Sequence, residues 1–264
     1  IYMPDGILKL IQKNICKNIL SGMNISEAAT AYSKCSDILK NARPHCGKDM
    51  VVKLDISDFF GSISFSSVLN NVFKKEIFPL PAAVLLTNLC CLDDSLVQGA
   101  PTSAMISNIV MREFDREVNI WCGQRDIIYT RYSDDMAFSG SFDFEELSGF
   151  ITPILMAYGF SLNKSKTAVL NKSKRRKITG VVINEKPQTS KSYRRKLRQD
   201  IFLFEKHEVT DLYDKSGGKD STSERLHCLQ MLLGRVNHVL FLNPNDKYFM
   251  DARIRLSDLL RNAG

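Results

Sequence analysis

Apolar residues recur every three or four positions along much of the chain, which is the spacing of an amphipathic helix. Pro or Gly punctuates several of these stretches, as at helix ends. Up to residue 160, the pattern predicts helices over Ile7–Leu20, Ser26–Leu39, Phe65–Lys75, Ala82–Leu92, Ser103–Trp121 and Phe144–Ala157.

Short apolar runs between these helices predict strands. Ile127–Tyr132 and Met136–Ser139 flank Ser133-Asp134-Asp135, which predicts a β-hairpin with the two acids at its turn. The other predicted strands are Met50–Ile56, Ala168–Leu170 and Ile178–Ile183.

The pattern changes after Pro187, where only helical spacing remains. Helices are predicted over Ser192–Lys206, Ser223–Leu240 and Tyr248–Leu260, with a polar linker over Asp214–Ser221. The sequence therefore predicts an α+β body up to about residue 187 and a helical C-terminal lobe.

Composition excludes several classes of protein. The chain has 264 residues, of which 44% are hydrophobic and 25% charged, an ordinary globular balance that excludes disordered and collagen-like chains. The net charge is +7, but residues 164–206 hold 14 basic and 3 acidic residues. Such a basic segment favours a polyanion partner, nucleic acid first, and the alternative is a solvated charged surface.

The seven cysteines are odd in number and form no CxxC motif, which favours free thiols in a reducing compartment. No apolar run reaches the roughly 20 residues that span a bilayer. The first residues also lack the charged and apolar regions of a signal peptide. We therefore expect a cytoplasmic protein without a membrane partner.

Carboxylates lie at the ends of two predicted strands. Asp55 closes one, and Asp134 and Asp135 lie between the two strands of the hairpin. Taken singly, Asp55 is most simply a capping residue and the Asp-Asp pair a solvated turn. If the strands are neighbours in one sheet, Asp55 and Asp134 face each other and can hold two divalent cations for phosphoryl transfer. Oxygen ligands favour Mg²⁺ over zinc.

A turn motif, Gln98-Gly-Ala-Pro-Thr-Ser103, precedes the longest predicted helix. Gly and Pro favour a sharp turn, and Thr102 or Ser103 can cap the helix. Gln98 can hydrogen-bond a nucleotide or a template strand, in addition to this structural role.

Together these motifs resemble those of the reverse transcriptases. The order is Asp55 with two following aromatics, then the Gln98 motif, then Tyr132-Ser-Asp-Asp135, then Gly159-Phe-x-x-Asn-x-x-Lys166-Thr. Ser133 replaces the Ala that is usual in bacterial members, and both are small. Four motifs in this order are highly specific.

Shorter motifs resemble the retron branch of that family. Asn41-Ala-Arg-Pro-His45 matches its NAxxH segment, Ile178-Thr-Gly180 its VTG segment, and the stretch after Gly234 its thumb. Outside this context, His45 would be a capping or core histidine and Thr179-Gly180 a β-turn. The resemblance implies RNA-binding roles for Asn41, His45, Arg175, Arg176, Thr179 and Gly180.

The resemblance implies a right-hand polymerase fold with fingers, an antiparallel palm sheet with helices, and a helical thumb. A basic fingers segment usually precedes the region that begins at Ile1. The implied domains are fingers in part (1–50), palm strand with the first catalytic aspartate (51–61), fingers and palm helices (62–97), palm (98–187) and thumb (188–264).

The resemblance also implies a division of roles around two Mg²⁺ ions. Asp55 and Asp134 are the principal metal ligands, Asp135 assists, and the Ile56 carbonyl completes one shell. Gln98 contacts the incoming nucleotide, and Phe60 excludes a nucleotide with a 2′-OH. Lys166 is a charge partner or proton donor near the phosphates, and the alternative is that it is only a surface charge.

A retron enzyme copies part of its own structured noncoding RNA into a short single-stranded DNA (msDNA), primed from an internal 2′-OH. The implied partners are that RNA as template and primer, the RNA–DNA hybrid, deoxynucleoside triphosphates and an effector protein in phage defence. One alternative is another bacterial reverse transcriptase, of the abortive-infection or group II intron type. The latter usually has maturase regions, for which Gly264 leaves no room. The other is a non-catalytic RNA-binding module, against which Asp55, Asp134 and Asp135 argue.

Overall fold

The computed structural model describes residues 3–34, 36–172, 175–206 and 221–262. The chain divides between Thr179 and Gly180 into two compact units. The predicted linker over Asp214–Ser221 lies outside the described residues except for Ser221.

Most helices of the first unit form where apolar residues recur every three or four positions. Side chains cap the amino-terminal ends of several of them. The Asp5 carboxylate accepts a hydrogen bond from the Leu8 amide, and that of Asp143 accepts from Glu145 and Glu146. The helices are α1 (Gly6–Asn18), α2 (Ile38–Ala42), α3 (Phe65–Asn71), α4 (Leu80–Cys90), α5 (Ser103–Val110), α6 (Arg112–Gly123) and α7 (Phe144–Ala157).

A four-stranded antiparallel sheet lies in the same unit, in the order β2-β3-β1-β4. Its interior is apolar, because Val52, Leu54 and Phe138 are fully buried and join one core with the helices. The strands are β1 (Met50–Asp55), β2 (Ile128–Tyr132), β3 (Asp135–Gly140) and β4 (Ala168–Asn171). The predicted antiparallel α+β architecture is confirmed.

The predicted helix over Ser26–Leu39 is wrong. Residues 28–30 instead pair with β2, where the Thr30 amide donates to the Arg131 carbonyl and the Arg131 amide to the Ala28 carbonyl, both at 2.8 Å. Helix α2 starts only after Asp37, whose carboxylate accepts from the Leu39 and Lys40 amides. Pairing with a strand edge depends on tertiary structure, so local periodicity could not reveal it.

Two other predicted elements are interrupted. The predicted helix Ser103–Trp121 is divided at Met111 into α5 and α6. The predicted strand Ile178–Ile183 is two short strands, β5 (Lys177–Ile178) and β6 (Val181–Val182). Between them Thr179 and Gly180 have φ of +44° and +83°, values that a continuous strand does not contain.

The second unit contains α8 (Lys191–Lys206), α9 (Ser221–Leu242) and α10 (Lys247–Asn262). Their apolar faces share a core in which Leu197, Val236 and Leu256 are fully buried. The predicted C-terminal helices are therefore confirmed, because their amphipathic spacing was sufficient to define them.

No helix among the described residues is both long enough and apolar enough to cross a membrane.

Candidate active site

The predicted carboxylates come together at one end of the sheet. Asp55 and Asp135 are direct partners across the antiparallel strands β1 and β3. Asp134 lies in the tight turn between β2 and β3, and its carbonyl accepts a hydrogen bond from the Ile56 amide at 3.1 Å. The prediction that these strands are neighbours in one sheet is confirmed.

A buried ion pair supports this turn. Ser133 has φ +60°, and its carbonyl accepts a 3.0 Å hydrogen bond from Arg131. Arg131 also forms a bidentate pair with Asp115, at 2.9 and 2.7 Å, and both side chains are fully buried. The Tyr129 hydroxyl donates to the same carboxylate at 2.8 Å, and burial raises the pKa of Tyr129.

Sequence reasoning missed Asp115 and Arg131. An arginine inside the apolar run Ile127–Tyr132 was an available signal, because a buried guanidinium requires a partner. Its partner on α6 could not be identified without the tertiary structure.

Two lysines pair with the carboxylates. Lys166 Nζ lies 3.1 Å from Asp55 Oδ1, and Lys53 Nζ lies 3.1 Å from Asp135 Oδ2. The Asp55 carboxylate raises the pKa of Lys166. Burial raises the pKa of Asp135, the Lys53 charge opposes this shift, and the charges of Asp134 and Asp55 add to it. The site therefore concentrates negative charge that cations must balance.

The donor set fits a hard divalent cation. Asp55 Oδ1 is buried and accepts no hydrogen bond among the described residues, despite its ionic contact with Lys166. Carboxylate oxygens are the ligands that Mg²⁺ prefers. The described residues contain no three acidic, histidine or cysteine side chains already arranged as a metal shell.

A cavity of about 550 Å³ opens beside the carboxylates, within the usual size range of small-molecule sites. Its wall includes Asp55, Ile56 and Asp134, together with the predicted nucleotide-binding residues Phe60, Gln98 and Lys166. Tyr32, which the sequence did not predict for the site, also lies in this wall. The ring of Phe60 packs on the ring of buried Phe59, with 5.4 Å between the ring centroids. This contact fixes the position of the Phe60 ring in the cavity wall.

Gln98 and Lys166 belong to two separate segments that both line the cavity. Gly99 has φ +115°, and α5 begins after Thr102. Among the described residues, neither the Thr102 nor the Ser103 hydroxyl makes a capping hydrogen bond, contrary to both predicted options. In the segment that contains Lys166, the Asn163 amide donates to the Asp55 carbonyl at 2.7 Å. This hydrogen bond holds the segment against the end of β1.

The NAxxH segment forms a buried hydrogen-bond chain rather than a surface. His45 is fully buried, with Nδ1 2.6 Å from Ser139 Oγ and Nε2 2.8 Å from Thr130 Oγ1. Thr130 donates to Asn41 Oδ1 at 2.6 Å, and Asn41 Nδ2 donates to Thr179 Oγ1 at 3.3 Å. Since Thr130 gives its proton to Asn41, His45 is the Nε2–H tautomer and Nδ1 accepts from Ser139.

This chain joins the two short retron-like motifs through their side chains. Asn41 is fully buried and Thr179 is half-buried, so His45 has no surface to offer a ligand and acts on Thr179 only through Thr130 and Asn41. The two arginines that are predicted to bind RNA also differ in exposure. Arg175 is exposed, whereas Arg176 is buried and donates to the Lys48 carbonyl.

The neutral state of His45 predicts a loss of stability in acid. Burial, with a contribution from Lys48, lowers the pKa of His45 to about 4. The unfolded chain, with an ordinary His pKa of about 6.5, binds this proton first, so stability is full above that pH and falls towards pH 4. The loss reaches at most about 3 kcal/mol.

We expect His45→Gln to flatten this part of the pH dependence, since glutamine stays neutral. Urea unfolding at pH 7 and at pH 4.5, followed by tryptophan fluorescence, measures the free energy of unfolding at each pH. Trp121 is the single tryptophan and stacks on Phe150 in the first unit, so the signal reports that unit. His238→Gln, at an exposed position in the second unit, is the control. An unchanged pH slope in His45→Gln would contradict the assignment.

Comparison with known proteins places these motifs in one family. Residues 1–183 match the family described as reverse transcriptase (RNA-dependent DNA polymerase). The chain belongs to the reverse transcriptase family. Members of this family generally use divalent metal ions, consistent with the carboxylate donor set.

The curated relatives of this reverse transcriptase include retron enzymes. The Retron Ec86 reverse transcriptase of Escherichia coli is 32% identical over 70% of this chain and 58% of its own length. The Retron Mx65 reverse transcriptase of Myxococcus xanthus is 28% identical over 92% of this chain and 58% of its own length. The resemblance to the retron branch is thereby confirmed, although the chain spans little more than half the length of these two relatives.

Among solved structures, a telomerase from Candida albicans aligns over 97% of this chain and 52% of its own, with 13% identity and a TM-score of 0.49.

Proposed function

We propose that this chain catalyses RNA-directed DNA synthesis as the reverse transcriptase of a retron. The observation that carries the proposal is the meeting of Asp55, Asp134 and Asp135 at one end of an antiparallel sheet, beside a cavity of about 550 Å³. The family match and the retron relatives support it. Residues 51–61 and 98–187 would form the palm, 1–50 and 62–97 the fingers with adjoining helices, and 188–264 the thumb.

Two Mg²⁺ ions are the proposed cofactors, held by Asp55 and Asp134 with help from Asp135 and the Ile56 carbonyl. When bound, Mg²⁺ supplies Lewis-acid activation of the primer hydroxyl and neutralises charge on the leaving pyrophosphate. Lys166, which lies at the cavity wall, balances phosphate charge. Gln98, which also lines the cavity, orients the incoming nucleotide.

The proposed substrates are deoxynucleoside triphosphates and a structured noncoding RNA, part of which is copied into msDNA as an RNA–DNA hybrid. Exposed Arg175 and the turn at Thr179-Gly180 would contact this RNA, while Asn41, His45 and Arg176 would position that segment from below the surface. An effector protein and a role in phage defence belong to the same proposal, and they rest on the resemblance to the retron branch alone.

Part of the basic segment is occupied within the second unit. Arg198 packs over the rings of Tyr248 and Phe249, and Lys196 pairs with Asp200 at 3.3 Å. Exposed Lys191 and Arg195 on α8 have no such pairing among the described residues. We assign the phosphate contacts of the thumb to these two residues, because their charges are exposed and unpaired among the described residues. Such contacts add affinity without reading the nucleotide sequence.

We place the protein in the cytoplasm, because the cysteines among the described residues are free thiols.

Primer extension on an RNA template with deoxynucleotides and Mg²⁺ tests the catalytic proposal. Extension that stops when the metal is chelated is expected. RNA binding without extension would instead favour a non-catalytic RNA-binding module. The RNA encoded beside the gene tests the retron assignment, since a retron enzyme primes synthesis on that RNA without an added primer. Activity restricted to added primers would favour another bacterial reverse transcriptase.

Phe60→Ala is expected to weaken discrimination against ribonucleotides. The Phe60 ring lies in the cavity wall and is held from behind by Phe59, so its removal opens space for a 2′-OH. We expect the ratio of deoxy- to ribonucleotide kcat/KM to fall by at least about tenfold, or about 1.4 kcal/mol. Single-nucleotide incorporation measures this ratio. Phe60→Tyr, which keeps the ring, should preserve it, and an unchanged ratio in Phe60→Ala would assign Phe60 to packing alone.

A further inference from the structure

Tyr32 emerges from a rigidly held segment. The backbone before it pairs with β2 through the two hydrogen bonds of Thr30 and Ala28 with Arg131. The carbonyl of Ala31 accepts a further hydrogen bond from the buried Asn108 side chain at 2.7 Å. Ala28, Ala29, Thr30 and Ala31 are all buried, so the position from which the Tyr32 side chain departs is fixed.

The backbone at Tyr32 adopts a conformation that its side chain does not favour. Its φ is +60°, in the left-handed region that bulky residues rarely occupy. Such residues concentrate where the surrounding structure imposes them for function. Here the strained residue directly follows a segment that hydrogen bonds hold in place.

The Tyr32 side chain has little role in holding the protein together. It is 46% exposed and lies outside the apolar core of the first unit. Its hydroxyl has no hydrogen-bond partner within the part of the chain that the structure describes. Among the described residues, its ring contacts one other aromatic ring, that of Tyr132, at 6.4 Å between ring centroids. An exposed aromatic residue with a strained backbone and no packing role is a candidate for ligand binding.

The ring lies where a nucleotide is proposed to bind. Tyr32 forms part of the wall of the cavity that also contains Asp134, Phe60 and Gln98. Phosphates and sugar are assigned to the carboxylate end, Lys166 and Phe60, and Gln98 offers the nucleotide hydrogen bonds. The flat face of the heterocyclic base is the part of the nucleotide to which no residue is yet assigned. An aromatic face is the surface on which a base of any sequence stacks.

We propose that Tyr32 is the stacking platform for the base of the incoming deoxynucleoside triphosphate. This assignment rests on the proposed polymerase function and adds a binding residue to it. Stacking accepts every base because each has a π-face, so Tyr32 would serve all nucleotides without selecting among them. Its contact with Tyr132 joins this platform to the turn that carries Asp134.

Two variants remove the ring without straining the backbone. Asparagine and glycine both tolerate a positive φ, so Tyr32→Asn and Tyr32→Gly should fold with a Tm at or above the wild-type value. Tyr32→Phe keeps the ring and is the matched control. We expect the KM for each of the four nucleotides to rise by about tenfold in the Asn and Gly variants, the order of one lost base stack. Tyr32→Phe should stay within about twofold of wild type, because the hydroxyl has no partner.

Binding measured without chemistry separates this inference from the polymerase proposal. A fluorescent base analogue, 2-aminopurine deoxyribonucleoside triphosphate, is titrated onto the protein with a template and a dideoxy-terminated primer. Quenching that depends on the Tyr32 ring is expected, and it supports the platform even if no primer is extended. Wild-type nucleotide KM and quenching in the Asn and Gly variants of an active polymerase would overturn the inference alone. A change confined to template–primer affinity would overturn it in favour of a template contact.

Discussion

Asp134→Asn should abolish DNA synthesis while RNA binding stays within about twofold of wild type. The substitution keeps the size of the side chain but removes the charge that we propose holds a divalent cation at the β2–β3 turn. Loss of several kcal/mol of electrostatic stabilisation corresponds to a fall in rate of at least about a thousandfold. Single-nucleotide primer extension measures the rate, and fluorescence anisotropy of labelled RNA measures binding.

Asp126→Asn is the matched control for this experiment. Asp126 is an exposed aspartate with φ +54° just before β2, so it shares the backbone conformation of a turn but lies outside the cavity wall. It should retain wild-type synthesis. Synthesis by Asp134→Asn at a rate near that of the control would remove Asp134 from the metal site.

The placement of the three aspartates was predictable because it depends on short-range rules. Short apolar runs, a tight hairpin and acids at the ends of the runs are all visible in the sequence. The register that makes Asp55 the partner of Asp135 follows once the strands are neighbours. The order of four motifs then supplied the fold, which single motifs could not have done.

The residues that were missed or misread depend on contacts between distant segments. Tyr32 was hidden because residues 26–39 have helical periodicity, whereas the edge of β2 binds residues 28–30 as an extended segment. Similarly, the NAxxH motif indicated an RNA contact, but His45 lies in the core and pairs with side chains of β2 and β3. A motif identifies residues that matter without showing whether they touch a ligand or hold another residue in place.

The Arg131–Asp115 pair illustrates the same distinction and carries the second large prediction. Asp115→Ala should lower the free energy of unfolding by about 3–5 kcal/mol, because it leaves a fully buried guanidinium without its counter-charge. Urea unfolding followed by Trp121 fluorescence measures this loss in the unit that contains the pair. Glu113→Ala is the control, since Glu113 lies on the same helix and pairs with exposed Arg116, and it should cost less than about 1 kcal/mol.

A double variant separates the stability of this pair from its action on the active site. Asp115→Leu with Arg131→Met removes both charges, and apolar replacement of a buried pair often restores stability. It cannot restore the 3.0 Å hydrogen bond from Arg131 to the Ser133 carbonyl, which fixes the turn before Asp134. We therefore expect the double variant to regain most of the free energy of unfolding but to keep a reduced kcat in primer extension. Full recovery of kcat with stability would show that Arg131 acts on the fold alone, whereas persistent loss of kcat makes it a positioning residue for the metal-binding turn.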